Sequence, residues 1–319
     1  MKINFNNLKI AVIGGHETTK IFIQVFKSLF KNKLDIFYYK PVKAKNLVLY
    51  SNLKSEIKTK ENFFKFTKIK DIENKMVSNR YDFLFAFGLS QIIPNKIIRS
   101  VKKNIIGFHP TFLPNGKGRS SSAWNIRIKK HGGCSFFAIE NENVDSGRII
   151  YRKKININNT DNAQSYSEKY LNLFNKMIFE ILTKPELYLK KKDNKVEGKK
   201  TSYYNILKVD DSFIDWSMKT DIIERIIKSS SFPNPGSYTF INHKLYKIDG
   251  IVKNNKNYKT FHYAQPGTIL SKKGFNYEIK TGDGIIGIKI NKNLKINERF
   301  TTLNPYVLFK ILQKLKINL

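Results

Sequence analysis

Short apolar runs recur along the first half of this chain, and helix-patterned stretches separate them. Leu8-Lys9-Ile10-Ala11-Val12-Ile13-Gly14-Gly15 is the first, Leu34-Asp35-Ile36-Phe37-Tyr38-Tyr39 the second, and Tyr81-Asp82-Phe83-Leu84-Phe85-Ala86-Phe87-Gly88 another. Each has strand length and is largely apolar, as strands covered on both faces are. Between the first two, Ile21, Phe22, Val25, Phe26, Leu29 and Phe30 fall at helical spacing. Strands alternating with helices predict an α/β domain with a doubly wound, mainly parallel sheet. Further along, the pattern predicts helices over 71–79, from Pro94 to Val101 with proline in the first turn, and over 122–130. It predicts strands ending at His109, over 135–139 and over 148–157. Thr160-Asp161 is a cap for a long amphipathic helix carrying Tyr166, Tyr170, Leu173, Phe174, Met177 and Ile178.

Near residue 190 the pattern changes. Lys190-Lys191-Lys192-Asp193-Asn194-Lys195 lacks apolar residues and reads as a solvated linker. Beyond it, helix periodicity is confined to 219–229. Short strands are expected at 236–241, 244–248, 267–269, 277–280 and 285–290, with Thr281-Gly282-Asp283-Gly284 as a hairpin signal. The expected organisation is a domain over 1–190, a linker over 191–205, and a small β-barrel of the OB type over 206–319.

The chain has 319 residues, long enough for two cores. Its one cysteine, Cys134, cannot form an internal disulfide. No leader-like segment opens it and no run of about 18 apolar residues interrupts it, so a soluble cytoplasmic protein without a membrane span is expected. Lysine and arginine number 58 against 25 acidic residues, a net charge of +33. Two readings stand: attraction for an anionic partner such as nucleic acid or nucleotide phosphate, or a general lysine, asparagine and isoleucine bias spread over the whole chain.

Two runs carry chemistry. In Gly107-Phe108-His109-Pro110-Thr111-Phe112-Leu113-Pro114 the proline forces the histidine into extended geometry. Following Asn104-Ile105-Ile106, this puts His109 at a strand's carboxyl end, where open α/β sheets bind ligands. The second run is Asn143-Val144-Asp145-Ser146-Gly147, where Asp145 also has the residue type of a turn. A lone strand-end histidine is more often structural, and Gly14-Gly15 is more often a tight turn than a phosphate cradle. His16, His131, His243 and His262 have no metal-ligand spacing, and no metal is expected.

The ordered set of Gly107-Phe108-His109, Thr111-Phe112-Leu113-Pro114, Gly118-Arg119 and Val144-Asp145-Ser146-Gly147 resembles the folate-dependent formyltransferases. That family includes methionyl-tRNA formyltransferase, glycinamide ribonucleotide transformylase and the sugar N-formyltransferases. Its pattern is Asn-x-His, Ser/Thr-x-Leu-Pro, a glycine–arginine loop and Val-Asp-x-Gly. His109 and Asp145 are 36 positions apart, similar to the sugar enzymes. Ile214-Asp215-Trp216, then Pro235-Gly236-Ser237-Tyr238-Thr239, is similar to the family's carboxy-terminal domain, so the resemblance spans most of the chain.

The resemblance implies 10-formyltetrahydrofolate as formyl donor and a primary amine as acceptor. It assigns catalysis to His109 and Asp145, and the pterin slot to Phe87, Gly88, Leu89, Ser90, Ile92, Leu113, Ile139 and Asn143. Arg119 and Trp124 would face the acceptor. Amine attack passes through a tetrahedral oxyanion, which needs hydrogen-bond donors and proton transfers. One departure stands out: Gly107 replaces the family asparagine, a donor whose loss typically costs about 10²–10³ in rate. Ser120, Ser121 or a backbone amide replaces it, or catalysis is slow, or the chain is a non-catalytic binding relative. The acceptor expected first is a nucleotide-linked amino sugar, because Gly-Arg is followed by Trp at sugar-enzyme spacing. The alternative is methionyl-tRNA.

Overall fold

The computed structural model describes residues 3–41, 48–56, 62–189, 201–241, 244–253 and 263–301. In chain order the elements are β1 Ile10–Gly14, α1 Glu17–Leu29, β2 Leu34–Tyr39, β3 Phe63–Phe66, α2 Glu73–Asn79, β4 Phe83–Ala86, α3 Asn95–Ser100 and β5 Asn104–Thr111. Next come β6 Lys117–Gly118, α4 Ser121–Ile128, β7 Gly132–Ala138, β8 Ile149–Lys154, α5 Ala163–Thr183, α6 Pro185–Tyr188 and β9 Tyr203–Tyr204. Then follow α7 Thr220–Ser230, β10 Ser237–Ile241, β11 Lys244–Ile248, β12 Gly250–Val252, β13 Ile269–Lys273, β14 Asn276–Lys280 and β15 Ile285–Lys289. They form two compact units that interleave along the chain. One comprises Met1–Ser121, His131–Ile157 and Ser167–Asn205; the other comprises Ser122–Lys130, Asn158–Tyr166 and Ile206–Leu319. Residues 191–200 of the expected linker, residue 190 before it, and His243 and His262 lie outside the described residues.

The first unit holds a seven-stranded sheet in the order β3-β2-β1-β4-β5-β7-β8. The first five strands are parallel, as the alternation of strands and helices requires. The last two are not. Thr111 pairs with Gly132, so the chain that leaves β5 returns beside it running the other way, and β8 reverses again against β7. One face is packed by aromatic rings: Phe87 lies 5.2 Å from Phe174, and Phe174 lies 4.7 Å from Phe108 and 5.2 Å from Phe136. The other face carries a mixed apolar cluster in which Ile13, Leu84, Ile97 and Ile105 join Phe37, Phe66 and Tyr81.

In the second unit, β10 and β11 form a hairpin, and β12, β15, β14 and β13 form a four-stranded antiparallel sheet. Trp216 is fully buried, stacked 5.3 Å from Phe300, and its indole donates to Thr239 Oγ1 at 2.9 Å. The hairpin signal at 281–284 joins β14 to β15, and Asp283 in it accepts from the backbone and hydroxyl of Thr220 at 2.8 Å each. Those bonds hold the Asp283 carboxyl below its ordinary range. At the start of α5 the capping residue is Asn162 rather than Thr160 or Asp161. Asn162 Oδ1 accepts from Ser165 N (2.9 Å) and Ser165 Oγ accepts from Asn162 N (3.0 Å). Asp161 is already engaged by Asn158 N and the Ser165 hydroxyl.

The turn after β1 is filled by protein rather than open: a Cβ on Gly14 would stand 1.8 Å from the Phe87 carbonyl oxygen, and one on Gly15 would stand 2.2 Å from that of Tyr39. His16 then caps α1, its Nδ1 accepting from Thr18 N at 3.2 Å. Burial pushes this imidazole from 6.5 down to about 4. The folded state therefore favours neutral His16, and that contribution is intact above pH 6.5 and lost as the pH falls towards 4. A proton on Nδ1 also removes the cap acceptor. Urea unfolding midpoints should fall across this window in the native chain and fall less in His16→Asn, which keeps a capping group without the titration. Equal slopes for the two proteins would show that His16 does not contribute.

Candidate functional site

The site grows from the carboxyl end of β5. Residues 107 and 109 face the same side of the strand, and Pro110 interrupts the regular ladder, whose register shifts between His109 and Thr111. His109 is buried, 6% exposed, and its Nε2 lies 2.8 Å from the Gly116 carbonyl oxygen. A carbonyl can only accept, so Nε2 carries the proton. Nδ1 then faces Asp145 Oδ2 at 3.4 Å. The structure thus brings together the two residues that the sequence pattern singled out.

Asp145 is aimed by its backbone. It adopts φ +48°, in the left-handed region that aspartate tolerates better than most residues. Within the same turn Ser146 Oγ donates to Asn143 O at 3.0 Å, and Asn143 N donates to Asn141 Oδ1 at 2.9 Å. Oδ2 accepts from Gly118 N at 2.9 Å. A single oxygen therefore meets both an amide and an imidazole, and the peptide from Gly116 to Gly118 touches both members of the pair. Gly116 and Gly118 have φ +72° and +97°, values that favour glycine.

The remaining expected residues divide. The loop 88–94 is tied down by Gln91, whose Oε1 accepts from Ile69 N (2.8 Å) and whose Nε2 donates to Thr67 O (2.6 Å). Leu89 and Ile139 both pack, half-buried, against one apolar cluster, and Glu142 accepts from Asn95 N at 2.7 Å. The two expected sides of the slot are therefore neighbours. Ile92 (55% exposed), Gly88, Ser90 and Asn143 present themselves to solvent. Phe87 and Leu113 do not: both are fully buried, and Phe87 points into the aromatic core. Their side chains cannot wall an open slot. Arg119 is exposed at the end of the 116–119 loop, whereas Trp124, half-buried on α4, falls in the second compact unit. Ser121 is buried and Ser120 sits at φ +53°.

Sequence reading missed the partners of the 116–119 loop. Ser202 Oγ accepts from Gly116 N, Ser202 O from Lys117 N, and Tyr204 O from Arg119 N. Nothing local in 202–204 signals this, because the pairing partner is over 80 positions away. Burial pushes the Tyr204 phenol up to about 12. Among the described residues no three metal-ligating side chains stand together, and no helix is long and apolar enough to cross a membrane.

Residues 42–182 match the formyl transferase family, and residues 206–299 match the formyl transferase C-terminal domain. The chain belongs to the formyl transferase family. Its reaction is folate-dependent transfer of a formyl group to an amine, as the sequence pattern implied. Among its relatives, the methionyl-tRNA formyltransferase of Malacoplasma penetrans is 29% identical over 88% of each chain. That of Mycoplasma capricolum is 26% identical over 91% of this chain and 92% of that one. The fold is similar to WlaRD, a sugar 3-N-formyltransferase, at a TM-score of 0.64, with 18% identity over 90% of this chain and 99% of that one. It is also similar to an N-formyltransferase from Helicobacter canadensis, at 0.63, with 16% identity over 89% and 99%.

Gly107, where the family pattern has asparagine, is not an empty seat. A Cβ there would stand 2.7 Å from Phe137 Cζ and 3.1 Å from Ile139 Cδ1. The Phe137 ring of β7 and the Ile139 methyl just beyond it take the space an amide would need, and Phe137 is itself buried. Gly107→Ala should therefore destabilise the first unit by about 1–3 kcal/mol, as overpacking does. Adding Phe137→Leu should restore part of the loss. Denaturant titration of the three proteins checks this; an undisturbed Gly107→Ala would show that the space is available.

Proposed function

We propose that the chain transfers the formyl group of 10-formyltetrahydrofolate to the primary amine of a nucleotide-linked amino sugar. The observation that carries the chemistry is the His109–Asp145 pair, with Nδ1 and Oδ2 3.4 Å apart at the end of β5. A reduced pterin fits the neighbourhood: an apolar, partly exposed border of Leu89, Ile92, Ile139 and Val144, with backbone of two adjoining loops at the rim. When bound, the donor supplies the formyl carbon.

The chain's own groups do the rest. The Nε2–H of His109, which rests on the Gly116 carbonyl, is the donor that the developing oxyanion takes over. Asp145 receives the proton lost by the attacking amine, directly or through water, and passes it to the Nδ1 of His109 that it faces, leaving an imidazolium beside the carboxylate. His109 returns a proton to the departing folate nitrogen as the old carbon–nitrogen bond breaks. With Phe137 over Gly107, no side-chain amide assists from this position, so His109 bears more of the oxyanion than a site with asparagine there would ask of it.

Arg119, exposed and forked, suits a diphosphate, and its spacing to Trp124 is of the sugar-enzyme kind. A second reading, methionyl-tRNA as acceptor, is favoured by the near full-length relatives and by the net charge of +33.

His109→Ala and Asp145→Asn should each lower kcat by about 10²–10⁴, measured as formyl release from 10-formyltetrahydrofolate in the presence of an amine acceptor. Retained turnover in both would move the active site elsewhere. Supplied with nucleotide-linked 3-amino and 4-amino sugars and with charged initiator tRNA, the native protein should formylate a sugar. Formylation of the tRNA alone would replace the first reading with the second.

A further inference from the structure

The peptide that touches both His109 and Asp145 is not held by its own loop. Four consecutive amides, from Gly116 to Arg119, are all engaged. Gly116 N donates to Ser202 Oγ at 2.8 Å, Lys117 N to Ser202 O at 3.0 Å and Arg119 N to Tyr204 O at 3.1 Å. Only Gly118 N turns the other way, to Asp145 Oδ2. That direction follows from strand geometry. Lys117 and Gly118 pair in parallel with Tyr203 and Tyr204, and alternate residues of a strand direct their amides to opposite edges. Once 117 and 119 bond to the 202–204 segment, the amide of 118 must leave by the far edge, where the carboxylate stands.

Packing fixes the same peptide. A Cβ on Gly116 would lie 2.7 Å from the Tyr204 ring and 3.0 Å from the Thr111 methyl; one on Gly118 would lie 2.6 Å from the Tyr204 carbonyl oxygen. The Lys117 ammonium lies 5.4 Å from the centre of the Tyr203 ring. The segment falls between the two family matches, which end at 182 and resume at 206.

We propose that Ser202–Tyr204 is a positioning strap for formyl transfer: by pairing with Lys117–Gly118 it turns the Gly118 amide onto Asp145 and the Gly116 carbonyl onto His109, and so sets the aim of the pair. This rests on the formyl-transfer reading of that site. The three residues touch no reacting atom; they act through the 116–118 peptide. A misplacement of about 1 Å in such a pair is enough to cost up to about 10²-fold in rate.

The test uses the full-length protein. Ser202→Ala removes the acceptor for Gly116 N, and Ser202→Thr keeps a hydroxyl. Ser202→Ala should lower kcat about tenfold or more with KM for the formyl donor within about twofold, and should shift the pH profile of kcat. Ser202→Thr should restore most of the rate. Tyr204→Ala should act like Ser202→Ala. In parallel, the His109 ring is titrated by NMR in native and Ser202→Ala proteins that melt alike; its titration should move. Native kcat and pH profile in both Ser202→Ala and Tyr204→Ala, or an unmoved His109 titration, overturns the strap. If the native protein formylates no amine, the formyl-transfer reading fails, while the NMR comparison still decides whether the strap sets the pair.

Discussion

One peptide, Gly116 to Gly118, decides whether His109 and Asp145 form a site. Its carbonyl fixes the proton on Nε2 of the imidazole, and its amide occupies one lobe of the carboxylate oxygen that faces Nδ1. Neither group is fixed in relation to the other by a tight direct bond, since 3.4 Å exceeds the 2.7–2.9 Å usual for a charge-assisted hydrogen bond. The backbone between them is the ruler. It depends in turn on glycine at both ends, because 116 and 118 have positive φ and approach Tyr204 too closely for any side chain.

The departure at Gly107 takes on a physical meaning in this setting. Strand β7 runs antiparallel to β5, which places Phe137 opposite Gly107 and turns its ring over the glycine. The family's amide position is thereby exchanged for a buried aromatic contact. Oxyanion stabilisation then falls on His109 and on whatever backbone amides the bound formyl group meets, which makes the orientation of one imidazole more consequential here.

Much of this was legible in the sequence. The runs ending at Gly15, Tyr39 and Gly88 read as parallel strands because both faces are covered, and each holds one. His109-Pro110 read as a strand end because proline forbids helix there. What was not legible depends on contacts remote in sequence. The direction of β7 is set by where Gly132 meets Thr111. Phe87, which the resemblance assigns to the pterin slot, is drawn into the ring cluster with Phe174. The capping role at α5 passes to Asn162 because Asp161 is occupied by Asn158 and Ser165. Tyr203–Tyr204, at the end of a stretch expected only to link, becomes a strand because two distant glycines leave room for it.

The most direct measurement is a crystal structure of the protein with tetrahydrofolate bound. The pterin should lie between the loops at 88–94 and 139–143, with the N10 end directed at His109 and with His109, Gly116, Gly118 and Asp145 still in contact. A pterin bound elsewhere, or His109 and Asp145 turned away from one another around it, would contradict the account.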